Sequence, residues 1–409
     1  MGSARTIRAS ATALVLASLL SACGQFGGSG GDRPRVAAVP PLSAPTTPVE
    51  SRPLASATQT GAIGTGPVKV ALILPMTQNG GASNLGRSMR NAAELAYTEA
   101  GTNDLTILVK DDRSTPDGAR EAAQSAVADG VELILGPVTA ADLREAAKVA
   151  KASDKPIIGF STDSASASRG VYLLSFLIEG YVDREVEYAA QHGKRSFGAL
   201  VPDSDYGNVA LAEIQSAAAR LGVRVEAIER YKPSAPTEAV ARMASALPRI
   251  DALIIPDTPD DMPAVAAALT ANGIDSTKVQ ILGSNLWGEP AVLKLPALRG
   301  AWYAATETAG FTGFAQRYRA KYGSDPVRVS TLSYDAVSVA AALAHAGSSP
   351  HFTSDALTNA SGFNGADGLF RFRADGPSER GLAVFQVANG SATVIGAAPR
   401  SFTSAPSGF

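Results

Sequence analysis

Cysteine is nearly absent from this sequence. The 409 residues include one cysteine, Cys23, and three histidines, His192, His345 and His351. One cysteine cannot form an internal disulfide bond or a cysteine-based zinc cluster, and the three histidines lack the spacing of metal ligands. We therefore expect no metal ion or other cofactor.

The sequence also has little excess charge, and no long apolar run beyond its first residues. Its 36 basic and 38 acidic residues give a net charge of −2, which argues against a general nucleic-acid-binding protein. No stretch after residue 23 approaches the ~20 apolar residues of a transmembrane helix. The acidic pairs Asp111-Asp112 and Asp260-Asp261 are more typical of strand ends and helix starts than of a catalytic dyad. The sequence therefore predicts a protein that is not an enzyme.

The first 22 residues have the pattern of an export signal. Arg5 and Arg8 precede the apolar, small-residue run 9–22, which is too short to span a bilayer and fits a signal peptide. The run ends in Leu20-Ser21-Ala22-Cys23, which resembles the lipobox of bacterial lipoproteins. That resemblance implies acylation of the Cys23 thiol, for example with palmitate, and Gly24 after it implies delivery to the outer membrane. The alternatives are a plain signal peptide with an incidental cysteine, or N-myristoylation at the Met1-Gly2 start.

Residues 23–66 are rich in Gly, Ser, Thr, Ala and Pro, with six prolines. No apolar periodicity runs through them, so they cannot bury a core. We predict a lipidated, disordered tether that holds the folded part in the periplasm.

From residue 67 short apolar runs alternate with helical patterns, which predicts βαβ units with mostly parallel sheets. The pattern restarts near residue 181, so we predict two α/β lobes, each a doubly wound sheet, with the late elements completing both. The predicted first lobe is 67–176 plus 304–358, and the second is 177–303 plus 359–398. The predicted strands are 68–74, 105–109, 131–135, 156–160, 197–201, 224–229, 252–255, 280–283, 299–304, 368–372, 383–387 and 393–395.

The order of several stretches resembles the leucine-binding-protein family, which has the type I periplasmic-binding fold. The stretches are VKVALILPMTQNGG, VKDDRSTPDGAREAAQSAVADGVELILGPV, KPIIGFSTDSA, ALVPDSDYGNVA and ILGSNLWG. FNGADGLFRF and RGLAVFQV are similar to the penicillin-binding-protein activators, a lipoprotein subgroup. The resemblance implies a ligand cleft between the lobes, at the carboxyl ends of the strands.

That resemblance also implies which residues face the cleft. An amino-acid ligand needs donors for its carboxylate and an acidic group for its ammonium. In the family pattern the two carboxylate-binding hydroxyls fall on Ala140 and Asp163, and the glutamate falls on Asn285; the aromatic residue is kept as Tyr206. A one-residue slip restores Thr139 and Thr162 as donors. The predicted cleft residues are Met76, Val138, Thr139, Ser161, Thr162, Asp163, Tyr206, Asn285 and Trp287.

These replacements leave two interpretations of the cleft open: a modified ligand site, or a cleft that no longer binds an amino acid. Both predict weak or no binding of free leucine. The favoured function is a penicillin-binding-protein activator-like regulator that binds a cell-wall synthase. The alternative is the substrate-binding receptor of an ABC permease for branched-chain amino acids or a related small solute.

Overall fold

The computed structural model describes residues 61–347 and 349–402. The predicted signal peptide, Cys23 and the predicted tether as far as residue 60 lie outside the described residues. In the described part, no helix is long and apolar enough to cross a membrane.

A six-stranded sheet forms the centre of what we call the first lobe. Its apolar strand Val68–Leu74 is buried on both faces, as expected for a strand inside a parallel sheet. In spatial order the strands are β1 (Ala62–Ile63), β5 (Leu105–Asp111), β2 (Val68–Leu74), β6 (Leu133–Leu135), β7 (Ile157–Gly159) and β8 (Val171–Leu173). All neighbours are parallel except β1, which pairs antiparallel with β5.

Helices cover both faces of this sheet because their small apolar residues repeat at helical spacing. One face packs against α2 and α3, whose alanines lie in one apolar cluster with Ile73 and Ile134. The other face packs against α1 and a late helix, α10. The bounds are α1 (Asn84–Ala100), α2 (Pro116–Ala128), α3 (Ala140–Ala152) and α10 (Ser330–Ala346).

A seven-stranded sheet forms the centre of the second lobe. In spatial order its strands are β10 (Arg224–Tyr231), β9 (Ser196–Pro202), β11 (Ala252–Ile254), β12 (Gln280–Leu282), β13 (Trp302–Ala305), β17 (Ala383–Val387) and β18 (Ala392–Gly396). Its helices are α4 (Ile178–Gln191), α5 (Asp205–Leu221), α6 (Thr237–Ala244), α7 (Met262–Ala271) and α8 (Pro290–Leu293). The first two lie on one face and α6 and α7 on the other. The two-lobed α/β fold predicted from the sequence is confirmed.

The remaining elements complete the first lobe. Helix α9 (Thr308–Tyr322) packs on α1 through Phe314 and Tyr318. A three-stranded antiparallel sheet adds Phe370 and Phe372 to the apolar core that contains β2. The other elements are β3 (Thr77–Gln78), β4 (Gly81–Ala82), α11 (Ser354–Leu357), β14 (Phe363–Gly365), β15 (Gly368–Phe372) and β16 (Ser378–Arg380).

Two details correct the predicted boundaries. Residues 363–380, assigned from the sequence to the second lobe, lie on the first, because the aromatic face of β15 is buried there. Residues 62–63, assigned to the tether, form the edge strand β1, in which Ile63 is buried. The sequence pattern also missed β8 and α6, since a three-residue strand and a helix of two turns carry little periodicity.

Both sheets have the same strand order, with the first strand of each lobe between the second and the third. Apart from β1, the first sheet runs β5-β2-β6-β7-β8, and the second begins β10-β9-β11-β12-β13. In such sheets the connections diverge after the first and third strands, which opens a crevice at their carboxyl ends. Within the described residues, the chain passes between the lobes at 174–178, 305–308 and 380–383.

The carboxyl end of β5 carries a buried acid. Asp112 has no exposed surface; its Oδ1 accepts the Ser114 N–H at 2.8 Å, and its Oδ2 has no hydrogen-bond partner. Burial is the main cause that raises the pKa of the Asp112 carboxyl. The Ser114 hydrogen bond lowers this pKa and the carboxylates of Asp142 and Asp111 raise it, and the net result is a pKa of about 7. The folded protein therefore holds a proton here that the unfolded chain releases near pH 4.

We expect Asp112→Asn to stabilise the protein at pH 8. Between about pH 4 and pH 7 the folded state binds more protons than the unfolded state, so the free energy of unfolding falls as pH rises. The amide removes this loss, on the order of 2–4 kcal/mol, since a tenfold change in proton affinity is about 1.4 kcal/mol. Urea denaturation at pH 5 and pH 8 measures it, with the exposed Asp260→Asn as control. Equal pH dependence in the Asp112 variant and the parent would contradict the expectation.

Candidate ligand-binding site

The two crevices bring together the loops that follow the first and third strands of each lobe. In the first lobe, Met76 follows β2, and Val138 and Thr139 follow β6. In the second lobe, Tyr206 lies in the first turn of the helix after β9, and Asp257 follows β11. Open α/β sheets bind their ligands at these positions.

Asp111 fixes the loop after β2. Its Oδ1 accepts the backbone N–H groups of Met76 and Thr77 at 3.0 and 3.1 Å, and the Thr77 hydroxyl donates to its Oδ2 at 2.7 Å. The Met76 side chain is buried in the core of the first lobe, and the half-buried Val138 packs against that core. These two predicted cleft residues therefore form the base of the first-lobe surface.

Hydroxyl groups occupy the ends of β6 and β7. Thr139 is exposed at the start of α3, where its Oγ1 accepts the Asp142 N–H at 3.2 Å. Ser161 is buried after β7, and its Oγ accepts the backbone N–H of Asp163 at 3.1 Å. The neighbouring Thr162 is exposed.

Asp163 does not present an unpaired negative charge to the crevice. Its Oδ2 accepts the Arg144 Nη2 at 2.6 Å, and its Oδ1 accepts the Ala165 N–H at 3.1 Å. The sequence alone suggests that Asp163 repels a ligand carboxylate. The ion pair with Arg144 weakens that repulsion, because the guanidinium compensates the charge.

In the second lobe, polar side chains bond to one another at the strand ends. The Tyr206 hydroxyl donates to Asn285 Oδ1 at 3.1 Å, and so joins two of the predicted cleft residues. The Ser284 hydroxyl donates to the backbone carbonyl of Asp257 at 2.7 Å. The Tyr231 hydroxyl donates to Asp257 Oδ2. We call these five residues, Tyr206, Tyr231, Asp257, Ser284 and Asn285, the second-lobe polar network.

Burial controls the ionisation of this network. Burial raises the pKa of the Tyr206 hydroxyl. Burial and the negative charge of Asp257 both raise the pKa of the Tyr231 hydroxyl. Burial also raises the pKa of the Asp257 carboxyl, although the hydrogen bonds from Tyr231 and Thr258 N–H oppose the change. Both tyrosines therefore stay neutral and act as hydrogen-bond donors.

Trp287 corrects the predicted residue set. It has no exposed surface and lies in the apolar core of the second lobe. Its ring covers Gly283 so closely that a Cβ on that glycine would lie 2.1 Å from a ring carbon. Trp287 therefore packs under the loop after β12 from the core of the second lobe, and it does not fill the crevice.

Sequence reasoning missed Asp257, Tyr231 and Asp111. Asp257 follows the apolar run of β11. Ligand-binding residues of open α/β sheets follow the carboxyl ends of strands, and this rule, which applies to Ser161, would also have found Asp257. Asp111 accepts hydrogen bonds from residues 35 and 34 positions away, and Tyr231 donates one to a residue 26 positions away, which no local pattern shows. Among the described residues, no group of three or more His, Cys, Asp or Glu side chains could hold a metal ion.

Comparison with known proteins agrees with this geometry. The sequence matches a family model described as periplasmic binding protein over residues 67–392. A comparison with curated proteins returned no match. The predicted resemblance to the periplasmic-binding fold is confirmed, whereas the closer likeness to penicillin-binding-protein activators stays a prediction.

Several solved structures share the fold at low sequence identity. A leucine-binding protein from Thermotoga maritima is 21% identical, with a TM-score of 0.53, over 81% of this chain and 98% of that one. A putative branched-chain amino acid ABC transporter protein from Rhodospirillum rubrum is 19% identical, with a TM-score of 0.66, over 80% and 99%. A solute-binding protein of an ABC transporter from Rhodopseudomonas palustris, in complex with 3,4-dihydroxybenzoic acid, is 19% identical, with a TM-score of 0.51, over 81% and 98%.

We expect Trp287→Ala to destabilise the fold by about 3–5 kcal/mol, the usual cost of truncating a buried tryptophan. Chemical denaturation measures the loss, and Trp287→Phe, which keeps most of the apolar volume, should lose less. A Trp287→Ala protein as stable as the parent would show that this ring lies in the crevice and not in the core.

Proposed function

We propose that this chain, which belongs to the periplasmic binding protein family, is the solute-binding receptor of an ABC transporter and is not an enzyme. The observation that carries the proposal is the second-lobe polar network, which lies at the carboxyl ends of the strands as the hydroxyls of the first lobe do. Similar structures described as ABC transporter proteins support this function.

The first-lobe surface suits a ligand carboxylate. Thr139 and Ser161 supply hydroxyl groups, and Thr139 lies at the N-terminus of the 13-residue helix α3. The partial positive charge of a helix N-terminus favours an anion. The pairing of Asp163 with Arg144 lowers the repulsion that an unpaired aspartate would exert.

The second-lobe surface does not suit an ammonium group. The neutral amide of Asn285 stands where the family pattern has a glutamate. The nearby carboxylate of Asp257 already accepts from Tyr231 and from the Thr258 N–H at 2.7 Å. A buried ammonium without a paired anion is costly. We therefore propose that the ligand is a small carboxylic acid whose other end is neutral. The dihydroxybenzoic acid bound by one similar protein belongs to that chemical class.

A pair of ligands that differ only at the second carbon tests this proposal, since this carbon bears an ammonium group in leucine and an oxo group in the matching oxo acid. We expect 4-methyl-2-oxopentanoate, the oxo acid of leucine, to bind at least about tenfold more tightly than leucine in calorimetry, a difference of about 1.4 kcal/mol. Asn285→Glu should shift the preference toward leucine because it returns a negative charge to the second lobe.

The control for this experiment is Asn208→Glu, which adds the same charge on an exposed position of α5. It should leave the preference unchanged. Tighter binding of leucine than of the oxo acid by the parent protein would contradict the proposed ligand class.

A second candidate function is regulation of a cell-wall synthase of the penicillin-binding-protein class. The replaced clamp positions, Asp163 and Asn285, favour it, as do Cys23 and Gly24 in the predicted lipobox. In this candidate the protein is a lipid-anchored partner at the outer membrane and transports no solute.

The two functions predict different partners in the cell envelope. A receptor should cross-link to permease subunits, whereas a regulator should cross-link to a synthase. We expect affinity capture from cross-linked envelope to recover a permease, with a Cys23→Ser chain as the control for lipid-dependent contacts. Recovery of a synthase without permease subunits would contradict the receptor function.

A further inference from the structure

The chain returns to the first lobe after β18, the last strand of the second lobe. Residues 397–402 leave this edge strand, lie against the third passage between the lobes, and reach the three-stranded sheet of the first lobe. We call these residues the C-terminal strap. The family match ends at residue 392, so the strap lies outside the part of the chain that the family model accounts for.

Helix α4 holds the second-lobe end of the strap. The Tyr188 hydroxyl donates to the Ile395 carbonyl at 2.9 Å. A Cβ on Gly396 would lie 2.6 Å from a ring carbon of Tyr188, so only glycine lets the backbone lie this close to the ring. Arg184, one turn earlier, lies over the same ring, and its Nε donates to the Leu382 carbonyl of the third passage at 3.1 Å. One helix therefore fixes both the start of the strap and the second-lobe end of the third passage.

The middle of the strap lies on the third passage. A Cβ on Gly381 would be 3.1 Å from the Pro399 carbonyl oxygen and 3.2 Å from its Cγ. The Gly381 N–H donates to the Leu369 carbonyl of β15 at 2.8 Å, whereas the next residue, Leu382, is held by Arg184 of the second lobe. The chain therefore changes from one lobe to the other between these two residues, and the strap covers that point.

Phe402 forms the first-lobe end of the strap. Its half-buried ring lies over the guanidinium of Arg371 on β15, with the ring centre 4.5 Å from Cζ. The guanidinium is oriented by two acceptors: its Nε donates to Glu379 Oε2, and its Nη1 donates to the Ala360 carbonyl at 3.4 Å. A Cβ on Gly362 would lie 3.1 Å from Phe402 Cδ2. A cation over an aromatic face is attracted by the ring, so this contact holds the strap on the first lobe.

Between its two ends the strap is exposed. Ala397, Pro399 and Arg400 are exposed, and strap residues line two cavities of about 650 and 480 Å³. The strap therefore has room to shift, although its ends are held on different lobes. Six residues span at most about 20 Å even when fully extended. A rotation that separates the two anchor points beyond this reach must detach one end.

We propose that the C-terminal strap restrains the rotation of one lobe against the other, and that Phe402 on Arg371 is its releasable end. The other end continues into β18, which is paired with β17 in the seven-stranded sheet and cannot leave without disrupting that sheet. While Phe402 is in place, the lobes keep a narrow range of relative orientations, and the range widens when it leaves. This device goes beyond the proposed receptor function and does not depend on the ligand of the cleft.

The distance between two spin labels, one on each lobe, tests the restraint. The labels are attached at Gln124→Cys on α2 and Ala241→Cys on α6, both exposed positions, in a full chain that carries Cys23→Ser. Electron paramagnetic resonance then gives the distribution of distances between the lobes in the absence of ligand. We expect Phe402→Ala to raise the fraction of molecules outside the parent's range about two- to fivefold, the factor that an exposed cation–aromatic contact provides.

Three further variants locate the effect in the strap. Phe402→Trp should keep the parent's distribution, because the indole ring also binds a cation on its face. Pro399→Gly should widen the distribution by a smaller factor, because it removes the ring that stiffens the strap. The matched control is Val394→Ala, which truncates a side chain of β18 that is 50% exposed and precedes the strap. It should leave the distribution unchanged.

The variants give two results that would overturn the proposal. The strap restrains nothing if Phe402→Ala has the distance distribution of the parent. The proposal is also wrong if Val394→Ala widens the distribution as much as Phe402→Ala does, because the effect then comes from β18. If Phe402→Ala fails to fold, the comparison of Pro399→Gly with the parent decides the question. No ligand is present in these measurements, so failure of the proposed receptor function or ligand class changes none of their outcomes.

Discussion

Each lobe depends on one buried strand that has a parallel neighbour on both sides. Val68–Leu74 lies between β5 and β6, and Ser196–Pro202 lies between β10 and β11. A strand in this position must be apolar on both faces, because helices cover each side of the sheet. In each sheet the first strand lies between the second and the third strands. The connection that leaves the first strand and the connection that leaves the third strand therefore run in opposite directions from the carboxyl ends. The crevices exist because of this divergence, and the polar residues at their edges follow from it.

The chemistry at the crevices is set by hydrogen bonds and ion pairs among residues far apart in the chain. Arg144 compensates the charge of Asp163, and Tyr206 holds Asn285. Asp257, which the sequence pattern did not identify, is an acid of the second lobe near the position where the family pattern has a glutamate. Both of its carboxylate oxygens already accept hydrogen bonds, from Tyr231 and from the Thr258 N–H. In the function that we propose, the hydroxyl groups of the first lobe bind an anion and the second lobe offers no free acid for an ammonium group. This asymmetry favours a carboxylic acid over a free amino acid.

The sequence by itself determined the alternation of strands and helices, the two-lobed fold and the strand ends at which Ser161, Tyr206 and Asn285 lie. Those features depend on local periodicity and on the rule that parallel strands end at a common edge. The sequence could not show that Trp287 is a core residue, that Phe370 and Phe372 return to the first lobe, or that Asp163 pairs with Arg144. Such facts depend on which faces meet after folding. Only the tertiary structure decided them, because burial and charge compensation are properties of neighbours in space and not of neighbours in the chain.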